Sequence, residues 1–349
     1  MKAKILYEIK NLLLGGNPAT INHPHFTLSN DSTIRDSFYT ERAVKHFGES
    51  IKVYNRNDAF IYSEIDIEVN DKSKDEIDEE LMKIASINID YVNSFLMFLW
   101  LTKDNSVTIM TSLIMIPEIE ENLMCSNIKL VTYNCSGASE PTSFSFSEIK
   151  YTLNLYEKYG DNIVKSGKKT LSTFGEIEIE RDEKGRLISA TENKIGAIKY
   201  SSYNCVDRAM HFLSIARNQR NPAFRISFYV PILESLFTTD SFAVTHKVCE
   251  RVSIYMEEEK DKRRDLYDFI SKVYNTRSTF LHGQKFSEEN IDQIISDGDA
   301  VRLDEIIRAS MIMIMLYDYD IFTGLIPKGN SPKKTIEKRI DFLKYLMFP

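Results

Sequence analysis

The sequence predicts an α+β protein, a mixed α/β N-terminal domain followed by an all-α helical bundle. Three observations carry this expectation. At 349 residues the chain exceeds what one hydrophobic core usually holds, so two domains are expected. Runs with strand-like alternation fall before residue 203, and from Tyr203 onward the apolar spacing is nearly all helical. The composition, 43% hydrophobic and 27% charged with only 13 Gly and 9 Pro, is that of an ordinary globular chain. It excludes wholesale disorder and collagen-like or linker-dominated architectures. The expected organisation is a mixed α/β domain over 1–165, a hairpin and linker over 166–202, the bundle over 203–327 and a basic tail helix over 328–349.

Each element has its own signal. Phe60 to Val69 (FIYSEIDIEV) alternates with the period of a half-buried strand. Lys74 to Leu101 has helical spacing through Ile77, Leu81, Ile84, Ile89, Val92, Phe95, Leu96 and Leu99. Ser106 to Ile116 and Ile128 to Tyr133 are β-branched runs bounded by turn or charged residues, which reads as two further strands. Ser136 to Phe146 is a loop by composition, and a helix is expected from Phe146 to about Val164. GEIEIERDEKGRLISATE has the form of a hairpin turning around Asp182 to Gly185. The bundle helices are expected at Val206–Asn218, Arg225–Phe237, Phe242–Glu258, Leu266–His282 and Val301–Phe322.

Charge and cysteine usage narrow the function classes. The last 146 residues hold 21 basic and 21 acidic side chains, so the first 203 carry the whole net charge of −7. Neither half is a polycationic nucleic-acid binder, and any RNA contact must come from a local patch. The four cysteines (Cys125, Cys135, Cys205, Cys249) form no CxxC or Cys/His cluster, which argues against a zinc site or a disulfide scaffold. No metal and no cofactor is expected. The apolar stretches Ser94 to Thr102 and Met311 to Leu316 are shorter than the roughly 20 residues a bilayer requires, and Glu8 and Lys10 interrupt any signal-peptide core. The expectation is a cytoplasmic protein. His23 and His25 (NHPH) read as a loop, Trp100 as core of the first domain, and His246 as a surface residue.

One helix breaks its own pattern. In Asp265 to His282 the apolar stripe runs Leu266, Phe269, Ile270, Val273, Phe280 and Leu281, and Arg277 falls on it. A guanidinium there must be paired or line a cavity, because an unpaired buried charge costs several kcal/mol. Glu234 is a candidate partner, and Arg251, beside another apolar stripe, is expected in a buried ion pair. The helix should end at His282-Gly283, with glycine as terminator and the histidine at the end whose dipole favours a cation. Arg277 and His282 lie five residues apart, about 140° around the axis, so they meet only if the arginine curls toward the helix end or if both face a partner subunit. An arginine that holds a phosphate and a histidine that moves a proton suffice for metal-free RNA cleavage, because the 2′-hydroxyl is the nucleophile.

The segments RISFYVPILESLF, THKVCERVSIYM and LYDFISKVYNTRSTFLHG resemble the ApeA-like branch of the HEPN superfamily (higher eukaryotes and prokaryotes nucleotide-binding). The matching elements are Leu233-Glu234-Ser235-Leu236, the internal Arg251, and the helix end from Tyr274 through Arg277 and Ser278 to His282-Gly283. The resemblance covers about Cys205 to Phe322. It implies a bundle that forms a homodimer, with two R-x4-H motifs meeting across the interface. In active members it implies a metal-independent endoribonuclease that leaves 2′,3′-cyclic phosphate and 5′-hydroxyl ends, acting in phage defence or growth arrest. Arg277 and His282 would be catalytic, with Glu234, Arg251, Ser278 and Tyr274 in support. RNA would be the substrate, an unknown ligand or phage component the activator, and the N-terminal domain the sensing or specificity element. Many active members carry Asn, Asp or His where this chain has Ser278, and Gln284 stands where adenylylation-controlled toxins have tyrosine. The alternative is a catalytically inactive dimerisation and RNA- or nucleotide-binding module, with the R-x4-H pair structural.

Overall fold

The structure is a computed structural model that describes residues 1–16, 19–52, 55–119, 123–127, 131–171, 177–181, 187–192, 203–282, 298–324 and 332–346. The protein is mixed α+β, an N-terminal antiparallel sheet with helices. It divides into two compact units. The first comprises 1–99, 105–131 and 140–199, and the second 100–104, 132–139 and 200–349. The hairpin at 177–192 therefore clusters with the first unit, and two short segments from the N-terminal half belong to the second.

The strands of the first unit are β1 (Lys2–Lys10), β2 (Leu12–Leu14), β3 (Thr20–His23), β4 (Phe26–Ser29), β5 (Phe60–Asp66), β6 (Thr108–Met115), β7 (Leu123–Asn127), β8 (Thr142–Phe144), β9 (Ile177–Arg181) and β10 (Leu187–Glu192). Its helices are α1 (Ser32–Asp36), α2 (Glu41–Phe47), α3 (Lys74–Thr102, whose end passes into the second unit) and α4 (Phe146–Leu171). Six strands form an antiparallel sheet in the order β3-β4-β5-β1-β6-β7, with β1 central between β5 and β6. β2 and β8 pair in parallel, and β9 and β10 form the expected hairpin, its turn lying outside the described residues.

Both faces of the sheet are covered. Leu6, Phe60, Leu113 and Met115 pack against Phe38, Tyr39, Ala43 and Ile51 of the α1–α2 region. On the other face the Tyr7 hydroxyl reaches the Ala85 carbonyl of α3 at 3.4 Å, and Phe26 meets Phe95 with ring centroids 5.0 Å apart. α4 joins this layer through Tyr156, which donates to the Tyr91 carbonyl at 3.1 Å. A buried charge network sits in the first face. Glu8 accepts from the Tyr39 hydroxyl at 2.6 Å and lies 3.5 Å from Arg35 Nε, while the Arg35 guanidinium stands over the Phe60 ring.

Several expectations shift. The strand expected at Ile128–Tyr133 is found earlier, at Leu123–Asn127, and 128–130 lie outside the described residues. α4 runs to Leu171, past Val164. α3 is long and apolar enough to cross a membrane by length and composition, which the shorter stretch Ser94–Thr102 did not suggest. Its apolar side is buried in the fold, at Leu81, Val92, Phe95 and Leu99 among others. Trp100 is buried, but it falls in the second unit, not the first, where its ring nitrogen donates to Asp304 at 3.1 Å.

The second unit contains α5 (Cys205–Arg217), α6 (Pro222–Phe237), α7 (Val244–Met256), α8 (Lys260–Leu281), α9 (Asp299–Met313), α10 (Tyr319–Thr323) and α11 (Pro332–Tyr345). α5 starts on a capping box made by Asn204 and Asp207, and α6 on an Asn221 cap with Pro222 in its first turn. The segment expected as one helix over Val301–Phe322 is α9 and α10 joined by a π-helical turn at Ile314–Asp318. Tyr255 of α7 anchors that turn by donating to Asp318 Oδ2 at 2.8 Å.

Candidate functional site

α8 buries Leu266, Phe269, Ile270, Val273 and Tyr274 along one stripe. Arg277 continues the stripe by one turn and is half-buried, its Nη1 3.4 Å from Oε1 of Glu234 on α6. The side chains of the pair are 29% and 26% exposed, so neither is sealed from solvent, although Arg277 Nε is buried. Tyr274 lies one turn before Arg277. Burial, and secondarily the Glu234 carboxylate, push its phenol well above the usual range. Its hydroxyl makes no hydrogen bond of good geometry among the described residues.

His282 follows as the C-cap of α8, its backbone N–H bonded to the Ser278 carbonyl at 3.0 Å, with an exposed side chain. Ser278 is exposed as well. The expected terminator Gly283, Gln284 and Lys328 of the basic tail lie outside the described residues. No hydrogen bond joins Arg277 to His282 among the described residues. Within one chain the two present themselves separately at the helix end. The surface beside them is apolar: Phe280 meets Phe224 of α6 edge-on at 4.6 Å, and Phe224 and Leu281 are 47% and 55% exposed.

Arg251 takes a different place. It is buried as expected, but its hydrogen bond goes to the Phe237 carbonyl at 2.7 Å and not to a carboxylate. Burial lowers its pKa from the usual arginine value. Arg339 of α11 donates to the carbonyls of Ser235, Leu236 and Thr238 at 2.7, 2.7 and 3.0 Å. Two guanidiniums thus satisfy the carbonyls that the C-terminal end of α6 leaves unpaired, one turn beyond Glu234. No hydrogen bond or ion pair joins Arg251 to Arg277 or Glu234 among the described residues. His246 is exposed as expected, 3.8 Å from Glu250 and hydrogen-bonded to the Tyr267 hydroxyl at 2.9 Å.

A second polar cluster, which sequence reasoning missed, lies within the second unit. Asp304 is fully buried and accepts from Trp100, from the Tyr229 hydroxyl and from Arg308. Asp104 accepts from the Cys135 amide at 2.9 Å, and Asp104, Cys135 and Asp304 place ligand-type atoms within 4.8 Å of one another. Three arginines pack around them. Arg225 donates to the carbonyls of Tyr133 and Gln219 at 3.1 and 2.8 Å, and burial lowers Arg217 to about 10. Burial, and then Asp104, push the Cys135 thiol far up. This donor set suits a cation poorly, because both oxygens of Asp304 are committed and guanidiniums surround the cluster. It is the polar core of the unit, and the sequence does not single it out, because Asp304 and Arg308 are two of five charged residues on α9.

No family model matches the chain, and no curated protein or solved structure matches it either.

Proposed function

We propose that the protein is a metal-independent endoribonuclease of the HEPN type, cutting RNA at the end of α8 as a homodimer. The observation that carries this reading is the partly exposed Arg277, oriented by Glu234, five residues before the exposed His282. In the proposed reaction the 2′-oxygen attacks the adjacent phosphorus and the 5′-oxygen leaves, so the products are a 2′,3′-cyclic phosphate and a 5′-hydroxyl. Arg277 holds the phosphoryl oxygens as negative charge builds on them. His282 moves the proton, taking it from the 2′-hydroxyl or giving it to the leaving oxygen. The apolar surface of Phe224, Phe280 and Leu281 supports a second copy docking beside the motif, which would bring arginine and histidine from two chains together. A cytoplasmic role in phage defence or growth arrest, triggered by an unidentified ligand or phage component, belongs to the same proposal, as does a sensing role for the N-terminal unit.

A second reading is favoured by the ion pair itself. Arg277 already has a carboxylate partner within its own chain, which suits a structural staple in an inactive dimerisation and RNA-binding module. One experiment separates the two. Purified protein and the variants Arg277→Ala and His282→Ala are incubated with total RNA in EDTA, and the ends are mapped. Cleavage by the parent alone, with cyclic phosphate ends, is the expected result. Cleavage that EDTA abolishes, or that persists in both variants, places the chemistry elsewhere, and the absence of cleavage together with a lower melting temperature for the variants supports the staple.

A further inference from the structure

The six-stranded sheet has an incomplete seam. β4 pairs with β5 only where Thr27–Ser29 meet Phe60–Tyr62, and it then turns through Pro24 and His25 into β3. β5 runs on along β1 as far as Asp66. The phase of the β1–β5 ladder determines which backbone groups are left over. The Ile67 N–H donates to the Met1 carbonyl at 2.9 Å and the Met1 amino group donates to the Ile67 carbonyl at 3.0 Å. Bonded and non-bonded pairs alternate in an antiparallel ladder. Ile65 and Ser63 therefore turn their N–H and C=O groups toward β1, and Glu64 and Asp66 turn theirs toward the β4 side, where no strand stands among the described residues.

That open edge forms one wall of a cleft of about 770 Å3, inside the range of roughly 300–1,000 Å3 usual for ligand clefts. α3 supplies the opposite wall with Ile84, Ile87 and Asn88. The β3–β4 turn closes one end. There the His25 ring stacks on Tyr91 with centroids 4.0 Å apart, and the His25 carbonyl accepts from Ser63 at 3.0 Å and Asn88 at 3.1 Å. The end wall is thus held by a bonded cluster. Ile87 is 38% exposed on the helix side. Among the described residues lining the cleft there is no lysine or arginine, and Asp66 makes no ion pair. Lys2 and Lys4 on β1 bridge Glu64 alone, at 3.4 and 3.3 Å.

We propose that this edge is a docking site for an extended peptide segment of a partner protein, added to the sheet as a strand beside β5. The backbone of Glu64 and Asp66 would supply the hydrogen bonds. Side chains of an added strand alternate between the two faces of the sheet. Those facing α3 meet Ile65, Ile84 and Ile87 and should be apolar. Those facing away lie cross-strand to Glu64, already bridged by two lysines, and to Asp66, which no lysine bridges, so the one beside Asp66 should be basic. Charged residues alone can protect a bare edge from pairing, but protection requires neither an apolar helical wall nor a rigid end.

The test uses the full chain and a fluorescein-labelled hexapeptide of alternating valine and lysine, with alternating valine and glutamate as comparison, read by anisotropy. Ile87→Glu removes the apolar wall while adding a negative charge that would strengthen any unspecific attraction to lysine. The expected result is saturable binding of the lysine peptide below about 1 mM, weakened at least about tenfold both in Ile87→Glu and for the glutamate peptide. Amide hydrogen exchange at Glu64 and Asp66 should slow in the complex. Absence of saturation, undiminished binding to Ile87→Glu, protection located elsewhere, or pairing of this edge with a second copy of the chain would each overturn the proposal.

Discussion

Arg277 and Asp304 are both charged residues on apolar helical stripes, yet their surroundings assign them opposite roles. The Arg277–Glu234 pair is solvent-accessible on both sides and 3.4 Å apart, a geometry whose net worth is roughly 0–1 kcal/mol. Asp304 is fully buried and anchors three donors from Trp100, Tyr229 and Arg308. Removing one member of such a group leaves the others desolvated and unpaired, at a cost of about 3–5 kcal/mol. Urea unfolding followed by circular dichroism should therefore show Asp304→Ala strongly destabilised and Arg277→Ala nearly unchanged. A loss of several kcal/mol in Arg277→Ala would make that arginine a core element and weaken its catalytic assignment. The anomaly at Arg277 was legible because a cation interrupts a stripe of six apolar positions, from Leu266 to Leu281. Asp304 and Arg308 were not, since an i,i+4 acid–base pair reads as an ordinary solvated helix face, and Trp100 and Tyr229 are 204 and 75 residues away in sequence.

Among the elements, α6 shows how a helix end can serve a site from a distance. Its C-terminal carbonyls are satisfied by Arg251 of α7 and Arg339 of α11, which fixes the turn beyond Glu234. Arg251→Met keeps most of the side chain's volume and loses the bond to Phe237, so stability should fall by about 1–3 kcal/mol. RNA cleavage per folded molecule should hold within about threefold, a change of less than 1 kcal/mol in barrier. A large drop in cleavage with an unaltered melting temperature would instead put Arg251 in contact with RNA. Helix positions in this unit were readable from 3.6-residue spacing, and the departures fall where spacing is uninformative, as at the π turn of Ile314–Asp318. The first strands of the sheet were harder to read. β1 is buried on both faces between β5 and β6, so its apolar run lacks alternation. Glu8, which looked like a break in that run, is a buried partner of Arg35 and Tyr39.

For the whole molecule, the path of the chain matters more than the count of its units. The second unit includes 100–104 and 132–139 as well as 200–349, although the sequence placed everything before residue 166 in the first domain. Those short segments are not decoration. Trp100 donates to Asp304, Asp104 accepts from the Cys135 amide, and the carbonyls of Tyr133 and Asn134 receive the buried Arg225. A fragment of residues 200–349 would keep Asp304, Arg217 and Arg225 in the interior while removing these partners. Each buried polar group left unsatisfied costs about 1–3 kcal/mol, and in a chain of this length 1 kcal/mol shifts the melting temperature by roughly 2–4 °C. The fragment should therefore melt at least about 10 °C below the full chain, or show no cooperative transition by circular dichroism. A fragment as stable as the full chain would mean that the 100–104 and 132–139 segments only rest on the bundle. Confirmation would have a practical consequence for the ribonuclease proposal: an isolated C-terminal bundle that fails to cut RNA would have lost its polar core along with its N-terminal unit, so cleavage must be judged on the full chain.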